Sequence, residues 1–297
     1  MGKALAETFA PARKLFDEVD EALADRLSAI MWDGPAEKLT LTENAQPALM
    51  AVSLAAIRVL EAEAGLDLGR DAAYVAGHSL GEYSALAAAG SLTVADTARL
   101  LRIRGRAMQE AVPVGKGAMA ALLGLEMNAV RALAAEAAEG EVCEIANDNA
   151  PGQIVVSGDK FAVERAVEIA KSRIARAMML PVSAPFHCSL MRPAADVMRE
   201  ALAKVKVRAP KIPLVANVTA QPVADPAEIV RGLVAQVTGT VRWRESIAYL
   251  VAHGVGRLVE VGSGKVLTGL AKRIAKDAAA ISIGTPDDIA AFKAQMN

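Results

Sequence analysis

The sequence predicts an α/β fold in which a small layered unit is inserted into a larger one, and three observations carry that prediction. A short apolar run, Asp71 to Ala76, meets the turn Gly77-His78-Ser79-Leu80-Gly81, and helical composition follows from Glu82 to Ala89. Between Gly115 and Pro181, four apolar runs and two helical segments alternate in the order βαββαβ. From Val182 onward, strand-like and helical segments alternate again.

Taken in order, Ala12 to Leu27 and Gln46 to Ala64 place apolar residues at helical spacing, with Pro47 at a first helical position. The strand before Gly77, the turn and the helix stopped by Gly90 form a nucleophile elbow, so the large domain is expected to be α/β-hydrolase-like with a parallel sheet. The inserted strands are expected at Met119 to Leu125, Val142 to Ala146, Ile154 to Ser157 and Ala177 to Leu180. Their order is that of a split-βαβ, ferredoxin-like unit. Residues 115–181 are therefore read as an inserted subdomain, and residues 1–114 with 182–297 as the core. The core then continues with a strand at Leu214 to Asn217, a helix near Ile229 to Gln236 and a strand at Arg257 to Val261. A helix at Lys265 to Lys276 and a last apolar segment at Ala279 to Ile283 complete it.

Composition narrows the function. The 297 residues carry 33 Lys plus Arg against 34 Asp plus Glu, so no overall field steers the chain toward nucleic acid or an anionic membrane. Aromatics make up only 3% of the chain, too few for a base-stacking platform. Cys143 and Cys188 stand alone, with neither disulfide nor metal-ligand spacing, and no metal is expected. No run reaches about 18 uninterrupted apolar residues, and Met1 to Ala10 lacks the apolar stretch of a signal peptide. A soluble, cytoplasmic monomer is the expectation.

A G-x-S-x-G turn holds its serine in a strained conformation at a strand end, where glycines let strand and helix approach closely. Ser79 is the expected nucleophile, and the N–H of Leu80 at the helix start is the first oxyanion donor. A serine needs a base, and three histidines are available. His78 adjoins Ser79 and should point away from it. His253 precedes Gly254 and reads as a helix-terminal residue. His187, in Ser183-Ala184-Pro185-Phe186-His187-Cys188, lies where the inserted unit returns to the core, and a cleft between two units is where a site is expected. A hydrolase triad of Ser79, Asp225 and His253 is the competing arrangement. Arg102, Arg104 and Arg106 read, from spacing alone, as a solvated helix face.

With Ser79 and His187 identified, the chain resembles the malonyl-CoA:acyl carrier protein transacylases of fatty-acid synthesis and the acyltransferase domains of polyketide synthases. The likeness runs through Glu43-Asn44-Ala45-Gln46-Pro47-Ala48-Leu49, Gly77 to Ser84, Arg104 to Pro113, Asn149-Ala150-Pro151-Gly152-Gln153, the His187 segment and Glu260 to Leu267. It implies that Ser79 attacks a malonyl thioester, His187 takes its proton and Arg104 pairs with the free malonyl carboxylate. It implies further that a backbone carbonyl just before a tryptophan orients the histidine, here that of Arg242 before Trp243. Phe186 before the histidine and Leu80 after the serine are expected to favour malonyl over methylmalonyl. The implied partners are malonyl-CoA and an acyl carrier protein, with no metal or redox cofactor. Lys272 and Arg273, on the basic side of the helix after Gly264, are expected to help dock the carrier protein.

The family opens with an apolar strand and a Gly-Gln-Gly-Ser-Gln segment that supplies a second oxyanion N–H, whereas this sequence opens on Met1-Gly2-Lys3-Ala4-Leu5. The polypeptide as written is accordingly expected to be poorly stable and weakly active. Gly262-Ser263-Gly264-Lys265 lacks the spacing of a phosphate loop, so nucleotide binding is rejected.

Overall fold

Apolar residues at helical spacing build the first half of the chain around one long helix. The computed structural model describes residues 1–173 and 175–296. Helices α1 (Lys3–Thr8), α2 (Ala10–Leu23), α3 (Leu27–Asp33) and α4 (Ala36–Thr40) lead into α5 (Thr42–Ala64). After α6 (Leu68–Asp71) come strand β1 (Val75–Ala76), α7 (Gly81–Ala88) and α8 (Val94–Glu110). Helix α5 buries Ala48, Met50, Ala51, Leu54, Ala55 and Val59 in one cluster with Leu15, Phe16 and Val19 of α2 and Leu100 and Leu101 of α8. By length and composition α5 could cross a membrane, but 67% of that stretch is buried inside the protein, as in a core helix. Pro47 lies inside α5, not at its start. The Leu41 carbonyl accepts from the N–H groups of Asn44 and Ala45, so the helix is already closed upstream of the proline.

The inserted unit comprises β2 (Gly117–Leu123), α9 (Met127–Ala138), β3 (Cys143–Ala150), β4 (Gln153–Asp159), α10 (Lys160–Ser172) and β5 (Arg176–Met179). Its four strands form an antiparallel sheet in the order β3-β4-β2-β5. Strand alternation gives the sheet two faces. Ala118, Ala120 and Leu122 join Val130, Leu133, Val163 and Ala166 of the two helices in a private core. Met119 and Ala121 face the other way, into a cluster that also takes Phe186.

The chain then forms α11 (Arg192–Leu202), β6 (Leu214–Val215), β7 (Pro222–Val223), α12 (Pro226–Gln236) and α13 (Trp243–Ala252). It continues through β8 (Arg257–Val261), α14 (Val266–Ile274), β9 (Ala279–Ile283) and α15 (Pro286–Met296). The expected parallel sheet is present as two parallel pairs, β1 with β6 and β8 with β9, and β7 runs antiparallel to β6. Among the described residues the two pairs are not hydrogen-bonded to each other. The cluster built on α5 nevertheless spans both, taking in Val75 of β1 and Val261 and Ile281 of the other pair.

Charged side chains help fix the inserted unit against the core. Asp148 of β3, almost fully buried, receives three hydrogen bonds from Nε and Nη2 of Arg244 of α13, at 2.7 to 3.0 Å. The Glu144 carboxylate of β3 accepts from both the N–H and the hydroxyl of Ser189, at 2.8 and 2.7 Å. Arg273 of α14 donates to the side chain of Gln153 and, at 2.9 Å, to the Pro151 carbonyl.

Candidate active site

The Ser79 turn combines a local backbone geometry with braces from distant residues. Ser79 has φ 52°, a left-handed conformation that costs a side-chain-bearing residue on the order of 1–3 kcal/mol. An added Cβ at Gly77 would overlap the Gly81 carbonyl, so only glycine lets strand and helix approach there. A Cβ at Gly81 would meet nothing, so the steric demand falls on the first glycine alone. Asn217, two residues beyond β6, spans the turn: its Oδ1 accepts the Ser79 N–H at 2.8 Å and its Nδ2 donates to the Gly77 carbonyl at 2.7 Å. The Leu80 N–H opens α7 and has no intramolecular acceptor among the described residues, which leaves it for an oxyanion.

His187 reaches this serine from the loop that leaves the inserted unit. Its Nε2 lies 2.8 Å from Ser79 Oγ, and its Nδ1 lies 2.8 Å from the Gln236 carbonyl oxygen. A carbonyl oxygen can only accept, so Nδ1 carries the proton and Nε2 is left free to accept from the serine. Burial, with the nearby Arg104 cation, holds the His187 pKa down at about 3, so the ring is a neutral base across the physiological range. His187 is itself left-handed, φ 60°. An added Cβ at Gly117, where the inserted unit begins, would overlap Pro185, so that glycine lets the histidine loop sit tight against β2.

This corrects the expected orienting group. The acceptor is the carbonyl of Gln236, the last residue of α12, and not that of Arg242. The Arg242 carbonyl accepts from the N–H and hydroxyl of Ser246 in the first turn of α13, which commits it there. Its guanidinium pairs with Glu245.

Arg104 separates from its neighbours in the charge run. Arg102 and Arg106 form ion pairs at the surface with Asp25 and Glu43, whereas Arg104 is 1% exposed. An added Cβ at Gly105 would overlap the backbone of Thr42 and Glu43, so this glycine brings α8 close against the start of α5. Arg104 Nη1 donates to Gln46 Oε1 at 2.6 Å, and Nη2 donates to Gln236 Oε1 at 2.9 Å and to Ser79 Oγ at 3.1 Å. A fixed cation thus stands beside the nucleophile. Gln236 Nε2 donates in turn to the Ser79 carbonyl at 2.9 Å and to Glu82 Oε2 at 2.7 Å. Burial pushes the Glu82 carboxyl up to about 7.

The remaining expectations divide. Phe186 is half-buried and bridges the main core to the sheet face of the inserted unit, directly beside His187; Leu80 is half-buried against the main core. His78 points away from Ser79, its Nε2 2.8 Å from Asn149 Oδ1 and its ring against Trp243. The competing triad does not assemble: His253 stacks on Tyr249 and bonds its carbonyl, while Asp225 caps α12 by accepting from the Glu228 N–H. Cys188 is buried with its pKa pushed up to about 11, and its thiol donates to the Pro185 carbonyl. At Gly262 to Lys265 the start of α14 is already taken, because Glu260 accepts from the N–H groups of Leu267 and Thr268. Lys272 is exposed, and Arg273 is held by Pro151 and Gln153. Gln46, Glu82, Asn217 and Gln236 were not singled out from sequence as site residues. The available signal was a polar residue interrupting an apolar segment, seen most directly in Asn217 after Leu214-Val215-Ala216.

Serine, neutral imidazole, a backbone donor and a buried guanidinium together can form and resolve an acyl ester, with preference for an acyl group carrying a negative charge. The chain is similar to known proteins over its whole length. Residues 1–285 match the model of the acyl transferase domain family. The malonyl CoA-acyl carrier protein transacylase of Escherichia coli (strain K12) is 45% identical over 288 residues, which is 97% of this chain and 92% of that protein. The crystal structure of an acyl-carrier-protein-S-malonyltransferase from Bartonella henselae superposes with a TM-score of 0.97 at 57% identity, covering 100% of this chain and 94% of that one. A malonyl-transacylase solved in complex with its type II PKS acyl-carrier protein superposes with a TM-score of 0.95 at 39% identity, covering 99% and 94%. The chain belongs to the acyl transferase domain family and is an acyltransferase.

Proposed function

We propose that this acyltransferase moves malonyl groups from malonyl-CoA to the phosphopantetheine thiol of an acyl carrier protein, through a malonyl ester on Ser79. The observation that carries the reading is the buried Arg104 guanidinium 3.1 Å from Ser79 Oγ. A guanidinium can hold a carboxylate through two parallel charge-assisted hydrogen bonds, which an uncharged acyl chain cannot return.

Ser79 Oγ attacks the thioester carbonyl as its proton passes to His187 Nε2. The Leu80 N–H stabilises the resulting oxyanion. The tetrahedral species collapses with loss of the CoA sulfur, which takes the proton back from His187, and the Gln236 carbonyl holds the imidazolium while it exists. The carrier-protein thiol then gives its proton to His187, attacks the ester and frees Ser79. No step calls for a metal or redox cofactor. Phe186 and Leu80 crowd the α-carbon and favour malonyl over methylmalonyl by about 1–3 kcal/mol.

Lys272 is an exposed cation of the carrier-docking face, and Arg273, also exposed, shapes that face by tying α14 to the Pro151–Gln153 turn. The relative solved with its acyl-carrier protein supports a partner of this kind. Two free, buried cysteines fit a reducing cytoplasm, where the enzyme acts as a monomer.

Intact-mass spectrometry after addition of malonyl-CoA, and then of holo carrier protein, tests the cycle. Wild type gains a malonyl adduct that the carrier protein discharges, and Ser79→Ala gains none. His187→Ala forms the adduct about 10²- to 10⁴-fold more slowly while His253→Ala keeps the wild-type rate; the opposite pattern would restore the hydrolase arrangement. An adduct that water removes as fast as the carrier protein does would refute transfer.

A further inference from the structure

None of these steps uses Glu82. This carboxyl sits one helical turn beyond Ser79, is 1% exposed, and accepts from Gln236 Nε2 at 2.7 Å and from the Asn217 N–H at 3.2 Å. The other end of the same Gln236 amide accepts from Arg104 Nη2 at 2.9 Å. One carboxamide therefore lies between a buried carboxyl and a buried guanidinium, with its N–H toward the former and its C=O toward the latter. Every hydrogen-bond acceptor of Arg104 among the described residues is a neutral oxygen, on Gln46, Gln236 or Ser79. The titratable groups around the pair are Tyr83 on α7 and His187 on the loop after the inserted unit, with His78 beyond. Burial disfavours the charged form of all three. Among the described residues this leaves Glu82 as the anion available to balance Arg104.

We propose that Glu82 is the interior counter-charge of Arg104, acting through the Gln236 amide, and that it takes up a proton from solvent when the free carboxylate of a dicarboxylic acyl group occupies Arg104. The inference rests on the reading of Arg104 as the carboxylate receptor. Two carboxylates sharing one guanidinium in a water-poor interior cannot both stay ionised at modest cost. Glu82 is the deeper of the two and the one that burial already disfavours as an anion. The uptake is Glu82 carboxylate plus one solvent proton giving the neutral acid; no substrate bond changes, and the proton leaves when the acyl group does. Glu82 is thus a positioning residue that sets how strongly Arg104 attracts the substrate.

The test is the pH profile of kcat/KM for malonyl-CoA in wild type and Glu82→Gln, whose amide oxygen can still accept from Asn217 and Gln236. In wild type the value falls as pH rises from about 6 to about 9, by about tenfold for each unit by which binding raises the Glu82 pKa. The fall is absent in Glu82→Gln, and absent in wild type with acetyl-CoA, which has no second carboxylate. Identical malonyl-CoA profiles in the two proteins overturn the proposal. Should Glu82→Gln not fold, infrared difference spectra of wild type decide. Acylation by malonyl-CoA, but not by acetyl-CoA, produces a protonated-carboxyl band, and its absence overturns the proposal. Failure of the underlying reading looks different: Arg104→Ala would then leave the preference for malonyl over acetyl unchanged, whereas failure of the Glu82 role alone leaves that preference dependent on Arg104.

Discussion

Ser79 and His187 meet at 2.8 Å and share the same left-handed backbone strain, φ 52° and 60°, yet they are held in different ways. The serine's conformation follows from its neighbours in the chain: Gly77 permits the approach of strand and helix, and α7 begins at Gly81. The histidine's does not. It depends on Gly117 admitting Pro185, on Glu144 holding Ser189, and on the end of α12 presenting the Gln236 carbonyl. The nucleophile turn starts from a local glycine and is braced by Asn217 and Gln236 of the core, whereas the base is the product of docking the inserted unit onto that core.

The comparison can be broken at several points, and the largest effect falls on the local side. Gly77→Ala forces a Cβ into the Gly81 carbonyl and should destabilise the protein by about 3 kcal/mol or more, abolishing acylation; denaturant melts and intact mass would record both. On the tertiary side, His187→Ala removes the base and should slow acylation by about 10²- to 10⁴-fold with the fold retained, as read by stopped-flow release of CoA.

Acidification probes the same residue. The folded His187 pKa, about 3, lies below the ordinary histidine value of 6.5, so between these limits the unfolded chain binds the extra proton. Wild type should therefore lose stability as pH falls from about 6.5 toward about 3, and His187→Gln should lose less over that window. Glu82 works in the opposite direction. Its folded pKa, about 7, is raised above 4.5, so its share of stability is complete below about 4.5 and is lost as pH rises toward 7. Thermal melts of the variants across this range separate the two.

Glu144→Ala leaves the Ser189 N–H without its acceptor and loosens the histidine loop. A stability loss of about 1–3 kcal/mol is expected, together with lower kcat and little change in KM for malonyl-CoA. The smallest effect belongs to Arg242→Ala. The partly exposed pair with Glu245 is worth at most about 1 kcal/mol, and acylation should stay within about twofold of wild type. A large loss of activity there would show that the Arg242–Glu245 pair itself supports the site.

Legibility in the sequence follows the same division. The elbow, the βαββαβ order and the strand at Arg257–Val261 could be read because each is a pattern of neighbouring residues. Pro47 misled, since a proline is as compatible with an early helix position as with a start, and only the Leu41 carbonyl reveals where α5 closes. Arg104 gave no signal in spacing, because the difference between it and Arg102 or Arg106 is which side of α8 meets α5, a matter settled by Gly105 and the packing around it. Gln236 was missed for a more basic reason: every residue has a carbonyl, so an orienting carbonyl has no side-chain signature at all.

By itself, then, the sequence pointed to the Ser79 turn, to the helix-start N–H of Leu80 and to the layered α/β plan, because hydrophobic period and glycine placement act over a few residues. The tertiary structure brought His187 and Arg104 to Ser79 and decided which carbonyl accepts from the histidine. Those choices bring together residues more than a hundred positions apart, 79 with 187 and 104 with 236, and such distances are set by packing between units rather than by local chain geometry.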